Sequence, residues 1–170
     1  GSEMCIRDRL PISKLDIIKL SQKAENQFVG MNCGIMDQFI IGMGKKDHAI
    51  ALDTGTLEYT YAPVQLKQAS IVIMNTNKQR GLTDSKYNER RAECEHALSQ
   101  LQTVVKIKNL CDLKETEFEK VQHIITSPVE RKRARHAVLE NIRVKKAIAA
   151  LEKNDIEEFG AVSYTHLTLP

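Results

Sequence analysis

The sequence has no long apolar run and almost no net charge. A membrane-spanning helix needs roughly 18 uninterrupted apolar residues. No run in these 170 residues reaches that length, because Lys, Asp or Asn interrupts the longest candidates. A net charge of +3 is too small to favour nucleic acid or an anionic membrane surface as the main partner. Internal repeats and low-complexity stretches are absent too. We therefore expect neither a membrane nor a nucleic-acid partner, and a function that resides in particular sites.

Paired cysteine motifs are also absent. The four cysteines are far apart, with no CxxC pair and no histidine spacing typical of zinc sites. A secreted chain of this size more often pairs its cysteines. We expect free thiols and a reducing, cytoplasmic compartment. The cysteines are Cys5, Cys33, Cys94 and Cys111.

The two ends share no periodicity with the rest of the chain. Residues 1–9 (GSEMCIRDR) and 161–170 (AVSYTHLTLP) do not resemble signal peptides, and we interpret both as non-native, adapter-derived sequence. They are set aside in predicting the fold. Between them, a composition of 42% hydrophobic and 28% charged residues over the whole chain is typical of a protein with a packed core.

Helical spacing of apolar residues predicts a first helix from the N-cap Ser13 to near Val29. A loop with two glycines, residues 30–34, separates it from a second helix, residues 35–43. Residues 48–54 and 57–62 are β-prone and flank a turn at Gly55. The continuous apolar run at residues 70–76 predicts a buried strand.

Two further helices are predicted in the second half. One begins after Thr83 or Asp84 and carries its apolar residues, Cys94, Leu98 and Leu101, on one face. The other begins at a capping box, with Ser127 as N-cap, Pro128 in the first turn and Glu130 three residues after the cap. It runs to about Leu151 and turns near Asn154. The residues predicted to face inward are Ala137, Val144, Ile148 and Leu151.

Two carboxylates flank the glycine loop. Asp37 falls in the first turn of the second helix, where the helix dipole favours negative charge, so it suits proton acceptance or cation binding. The alternative is that Asp37 only stabilises the helix start. Glu25, twelve residues earlier, could approach Asp37 if the loop folds the helices together, and could bind Mg²⁺ with phosphate oxygens. Otherwise it is a solvated surface glutamate.

Four ordered motifs give the chain a specific resemblance. They are NCGIMDQF at residues 32–39, MNTNK at 74–78, SKYNERRAEC at 85–94 and KRARHAV at 132–138. Together they resemble bacterial galactokinases, within the GHMP small-molecule kinases, and the resemblance extends over residues 15–160. It implies an α/β (α+β) two-domain GHMP-kinase fold truncated at both ends. Residues 10–66 would end the N-terminal domain and residues 67–160 would begin the C-terminal domain.

The resemblance also implies roles for individual residues. Asp37 matches the catalytic base that takes the proton from the anomeric hydroxyl of galactose as that hydroxyl attacks the γ-phosphoryl of ATP. Gly34 matches a sugar-contacting position, and Tyr87 matches the tyrosine whose hydroxyl binds the sugar, although its ring alone would suggest a packing residue. Glu25 matches the Mg²⁺ ligand. The implied ligands are galactose, ATP and Mg²⁺.

Three family elements do not occur in this sequence: the R-x-N-x-x-G-E-H sugar motif, the Gly/Ser-rich phosphate loop and a late Gly-rich motif. The phosphate loop should supply most of the nucleotide affinity. We therefore predict that the 170-residue chain alone is an inactive, marginally stable and aggregation-prone fragment of an active kinase.

Three alternatives stand beside the galactokinase interpretation. The full protein could phosphorylate a related sugar such as N-acetylgalactosamine. It could instead be a catalytically silent galactose sensor on the same fold, although retention of Glu25 and Asp37 together favours an enzyme. The basic residues 131–136 could grip nucleic acid, but they form one turn next to acidic residues and have no interleaved aromatics.

Overall fold

The structure is a computed structural model that describes residues 11–75, 77 and 87–167. Its contacts divide the chain into two compact units, the first containing residues 11–61 and the second residues 62–75, 77 and 87–167. Each unit is described by itself. The domain boundary near Leu66 stays a prediction, and the predicted helix caps Thr83 and Asp84 lie outside the described residues.

The first unit begins with two helices. Helix α1 spans Lys14–Ala24, and the Oγ of Ser13 accepts a hydrogen bond from the backbone N–H of Asp16 at 3.1 Å, which confirms the predicted cap. The helix continues as a π-helical turn, Glu25–Val29. Gly30 then ends it at φ 80°, in the left-handed region that glycine adopts without strain. Helix α2, Met36–Met43, follows the loop as predicted.

An antiparallel hairpin follows α2, and its second strand ends two residues beyond the first unit. Its strands are β1, His48–Leu52, and β2, Tyr59–Pro63, slightly shifted from the predicted ranges. The Oδ1 of Asp53 fixes the turn by accepting from the N–H groups of Gly55 at 2.8 Å and Thr56 at 3.1 Å. The core holds the buried Ile18, Ile35 and Phe39, against which Leu15, Met43, Ile50, Leu52 and Leu57 pack.

The predicted buried strand at residues 70–76 is wrong for the residues described. Residues 70–75 form no strand, and the side chains of Ile71, Val72, Ile73 and Met74 are between 66% and 91% exposed. A strand needs a neighbouring strand to satisfy its backbone hydrogen bonds. The only sheet in the described part of the chain is β1 with β2, so no described strand supplies that partner. Thr76 lies outside the described residues.

The second unit is helical around its own apolar core. Helix α3, Tyr87–Leu101, carries two buried residues, Ala97 and Leu101, with Cys94 and Leu98 packed beside them, as the pattern predicts. The helices of this unit are α3, Tyr87–Leu101; α4, Glu115–Val121; α5, Pro128–Glu152; and α6, Ile156–Leu167. Short 3₁₀ turns lie at Leu110–Asp112 and Gln122–Ile124. The core residues are Ala97, Leu101, Leu110, Leu113, Phe118, Ile125, Ala134 and Val138.

Helix α5 begins at the predicted cap, but its buried residues are not all those that were expected to face inward. The Oγ of Ser127 accepts from the N–H of Glu130 at 3.4 Å. The buried residues of α5 are Ala134, Val138, Ala150 and Leu151; Ala137 and Ile148 are half-buried. Val144 is 50% exposed, so its predicted inward position is wrong. The helices packed against α5, rather than its own apolar spacing, decide which of its residues are buried.

Glu130 adopts a role that the capping-box pattern does not predict. Its carboxylate accepts from the side chain of Gln100 at 3.0 Å and lies 2.8 Å from the Nδ1 of His96, so it joins α5 to α3. The same Gln100 accepts at Oε1 from the backbone N–H of Thr126, at 3.0 Å. Packing against a neighbouring helix therefore decides where this side chain goes.

Three arginines of the basic run at residues 131–136 bind groups of their own unit. The Nη2 of Arg131 donates to the carbonyl of Ile125 at 2.7 Å. Arg133 and Arg135 form ion pairs with Glu93 at 2.9 Å and Glu119 at 3.1 Å. Arg133 and Arg135 therefore join α5 to α3 and α4, and Arg131 joins it to the loop that precedes it.

Helix α6 is not among the predicted elements, which end with the turn near Asn154. It extends to Leu167 and packs against α5. Whether residues 1–9 and 161–170 are native stays a prediction. No helix in the described part of the chain is both long and apolar enough to cross a membrane.

Candidate functional site

Asp37 is held at the surface by buried neighbours on its own helix. Ile35 and Phe39 are 5% and 1% exposed and anchor the start of α2 in the core of the first unit. Asp37 lies between them in the first turn, with its side chain turned to solvent. Its side chain forms no hydrogen bond or ion pair with another described residue. A free carboxylate in this position can accept a proton from a bound hydroxyl group.

Glu25 lies at the start of the π-helical turn and is connected to the start of α2. Its carboxylate oxygen Oε2 accepts from the Nε2 of Gln38 and from the Sγ of Cys33, each at 3.2 Å. Because Gln38 is the residue after Asp37, this contact fixes Glu25 to the turn that carries the candidate base. The other oxygen, Oε1, receives no hydrogen bond from any residue that the structure describes.

The backbone of Cys33 is fixed on both sides. Its N–H donates to the carbonyl of Met31 at 2.8 Å, and its carbonyl accepts from the side chain of Gln22 at 3.2 Å. Burial of the thiol, followed by its hydrogen bond to Glu25 and the negative charge of that residue, raises the pKa of Cys33. The thiol is therefore held in its protonated form, in which it donates.

The other predicted site residues occupy separate places. Gly34 is exposed and directly precedes the residue that caps α2. Tyr87 begins α3 in the second unit and is 42% exposed. Glu25, Gly34 and Asp37 all belong to the first unit, so the structure brings together three of the four predicted residues around one loop.

The described residues offer a metal ion one carboxylate here and not a complete set of protein ligands. Among residues 11–75, 77 and 87–167 no group of three or more His, Cys, Asp or Glu side chains could hold a metal ion. Glu25 offers an anionic oxygen without a hydrogen bond from the described residues. One carboxylate with phosphate oxygens and water is the ligand set that Mg²⁺ takes in kinases, so this residue fits such an ion.

Two contacts of this site were not predicted from the sequence. The sequence predicts only a free thiol at Cys33 and indicates no role for Gln38. Their contacts with Glu25 span 8 and 13 residues, which follow no helical or strand period. The one available signal is their position: both lie within four residues of Asp37, inside the NCGIMDQ segment.

Known proteins match almost the whole chain. The profile described as the GHMP kinases N terminal domain matches residues 3–45. A galactokinase of Clostridium acetobutylicum is 55% identical over 162 residues, which are 95% of this chain and 42% of that protein. A galactokinase of Fusobacterium nucleatum is 57% identical over 153 residues, 89% of this chain and 39% of that protein.

A solved structure matches as well. The crystal structure of Lactococcus lactis galactokinase complexed with galactose has a TM-score of 0.86 and 46% identity, over 90% of this chain and 39% of that one. The chain thus spans about two fifths of the length of these relatives. The family and fold class predicted from the four motifs are confirmed. Over that span, this chain is similar in sequence and in structure to galactokinases.

Proposed function

We propose that the protein to which this chain belongs transfers the γ-phosphoryl group of ATP to the anomeric hydroxyl of D-galactose, giving galactose 1-phosphate and ADP. The carrying observation is the likeness, in sequence and structure, to a galactokinase whose crystal structure contains galactose. The matched relatives are named galactokinases, which does not favour an N-acetylgalactosamine kinase or a silent sensor. We further infer a cytoplasmic location, supported by the free thiols of Cys33 and Cys94.

Asp37 is the general base of the proposed reaction. The anomeric hydroxyl loses its proton to the Asp37 carboxylate as its oxygen forms a bond to the γ-phosphorus and the bond to the β-phosphate oxygen breaks. Because phosphoryl transfer depends mainly on alignment and charge stabilisation, the base must be both exposed and fixed. Burial of Ile35 and Phe39 supports this, since it fixes the helix turn while leaving the carboxylate in solvent.

Glu25 is the proposed protein ligand of Mg²⁺. The ion, when bound with ATP, neutralises phosphate charge during transfer. The chain's own contribution is an anionic oxygen at a fixed place, supported by the two hydrogen bonds at Oε2. Gly34 and Tyr87 are the proposed sugar contacts. At Gly34 the absence of a side chain lets the backbone approach the sugar closely.

Tyr87→Phe provides a test of sugar binding. In the complete protein without substitution, ADP release should depend on galactose, and it should be much weaker when N-acetylgalactosamine replaces galactose. Loss of one neutral hydrogen bond should raise the KM for galactose in Tyr87→Phe by up to about 10-fold, with a smaller change in kcat. The matched control is Tyr59→Phe, which keeps the ring that meets Phe39 edge-on at 5.3 Å. Galactose binding without any ADP release would contradict the kinase and indicate a sensor.

A further inference from the structure

We propose that the Cys33 thiol and the Gln38 carboxamide are positioning residues for Glu25: they hold one carboxylate oxygen so that the other faces the cation. This inference rests on the proposed function, in which Glu25 binds Mg²⁺. It adds two residues that touch neither the sugar nor the nucleotide in that proposal. It also assigns a role to Cys33, the cysteine of the loop.

Both donors reach the same oxygen. The Cys33 Sγ and the Gln38 Nε2 each lie 3.2 Å from Oε2 of Glu25, and the two donors are themselves 3.9 Å apart. No described residue donates to Oε1. A glutamate side chain has three rotatable bonds, so two donors from two different segments restrict it far more than one would. The arrangement leaves the second oxygen without competition for a cation.

The thiol hydrogen of Cys33 has two acceptors within reach, and the Glu25 carboxylate is the stronger of them. Its Sγ also lies 3.3 Å from the Oδ1 of Asn26, but a thiol has a single hydrogen and the Glu25 carboxylate is anionic. The loop cannot easily move the thiol away, because the N–H and carbonyl of Cys33 are both hydrogen-bonded, to Met31 and Gln22.

Gln38 is oriented by the same carboxylate. Its Nε2 points at Glu25, while its Oε1 is buried without a hydrogen-bond partner in the described part of the chain. Turning the amide over would place Oε1 against the carboxylate oxygen, where the two acceptors would repel each other. An unsatisfied buried acceptor is destabilising, and the contact with Glu25 is the compensating interaction.

The test separates metal binding from catalysis. Binding of Mn²⁺, used as a probe for Mg²⁺, is measured by electron paramagnetic resonance on the complete protein with ATP and no sugar. Removing a partner that orients a metal ligand typically weakens affinity by about 10- to 100-fold. We expect a loss in this range for Cys33→Ala, substantial recovery in Cys33→Ser, which keeps a donor, and a loss in Gln38→Met. Cys111→Ala, which removes an exposed thiol of the second unit, should bind Mn²⁺ like the wild type.

An infrared readout tests the hydrogen bond itself, without metal or turnover. The S–H stretching band of Cys33 is isolated as the difference between the wild type and Cys33→Ala. In Glu25→Gln this band should move to higher frequency, because the acceptor loses its charge. An unmoved band, or wild-type Mn²⁺ affinity in Cys33→Ala, would overturn the positioning role. Failure of the proposed function would look different: both readouts would behave as expected, but the wild type would show no galactose-dependent turnover.

Discussion

Replacing Asp37 by Asn is expected to lower the kcat of the complete protein for galactose by about 10²- to 10⁴-fold, the usual contribution of a general base. The carboxamide has nearly the same shape but cannot take the proton from the anomeric hydroxyl. Because the side chain of Asp37 is exposed and forms no hydrogen bond with a described residue, the substitution should leave the fold intact. The measurement is steady-state ADP release with saturating ATP and galactose.

Asp47→Asn is the matched control for that substitution. Asp47 is an exposed aspartate of the same unit, with φ at 57°, a left-handed conformation that asparagine tolerates well. Its kcat should equal that of the wild type. An Asp37→Asn protein with undiminished kcat would show that another group accepts the proton, and the assignment of Asp37 would be wrong.

Phe118→Ala should produce the largest loss of stability in the second unit. Phe118 is 1% exposed and belongs to the same apolar core as Leu101 and Val138, at 0% and 1%. Truncating a buried phenylalanine costs about 3–5 kcal/mol, a large part of the 5–15 kcal/mol that stabilises a typical domain. Urea unfolding of the complete protein, followed by far-UV circular dichroism, should show a correspondingly lower midpoint.

An exposed residue gives the control for this truncation. Val129, in the first turn of α5, is 51% exposed, so Val129→Ala should change the free energy of unfolding by no more than about 0.5 kcal/mol. Equal losses in Phe118→Ala and Val129→Ala would contradict the core described for the second unit.

Local signals predicted most of the elements. Ser13 and Ser127 cap helices where their sequence context indicates, and apolar spacing predicts α1, α2 and the apolar face of α3. In each case the decisive interaction lies within about four residues, which is the range that a pattern describes.

Predictions that depend on distant partners failed. The apolar run at residues 70–76 has the composition of a buried strand, yet burial and pairing depend on another strand, and the described residues provide none. The carboxylate of Glu130 reaches Gln100 and His96, which are 30 and 34 residues away. Val144 faces solvent because the helices that pack against α5 decide which of its faces is buried.

The chemistry of the candidate site could be predicted from the sequence, but the contacts that hold its carboxylates in place could not. Asp37 and Glu25 are recognisable from the resemblance to galactokinases, and their roles stay predictions. The contacts of Cys33 and Gln38 with Glu25 depend on how the loop after Gly30 folds back, and no spacing rule describes that geometry.

The most direct test of the proposed function is the identity of its product. The complete protein is incubated with ATP, Mg²⁺ and galactose carrying ¹⁸O in its anomeric hydroxyl, and the product is examined by ³¹P NMR. The proposal predicts a sugar phosphate coupled to the anomeric proton, with ¹⁸O in the bridge between carbon and phosphorus. A phosphate on any other hydroxyl, or no sugar phosphate at all, would contradict it.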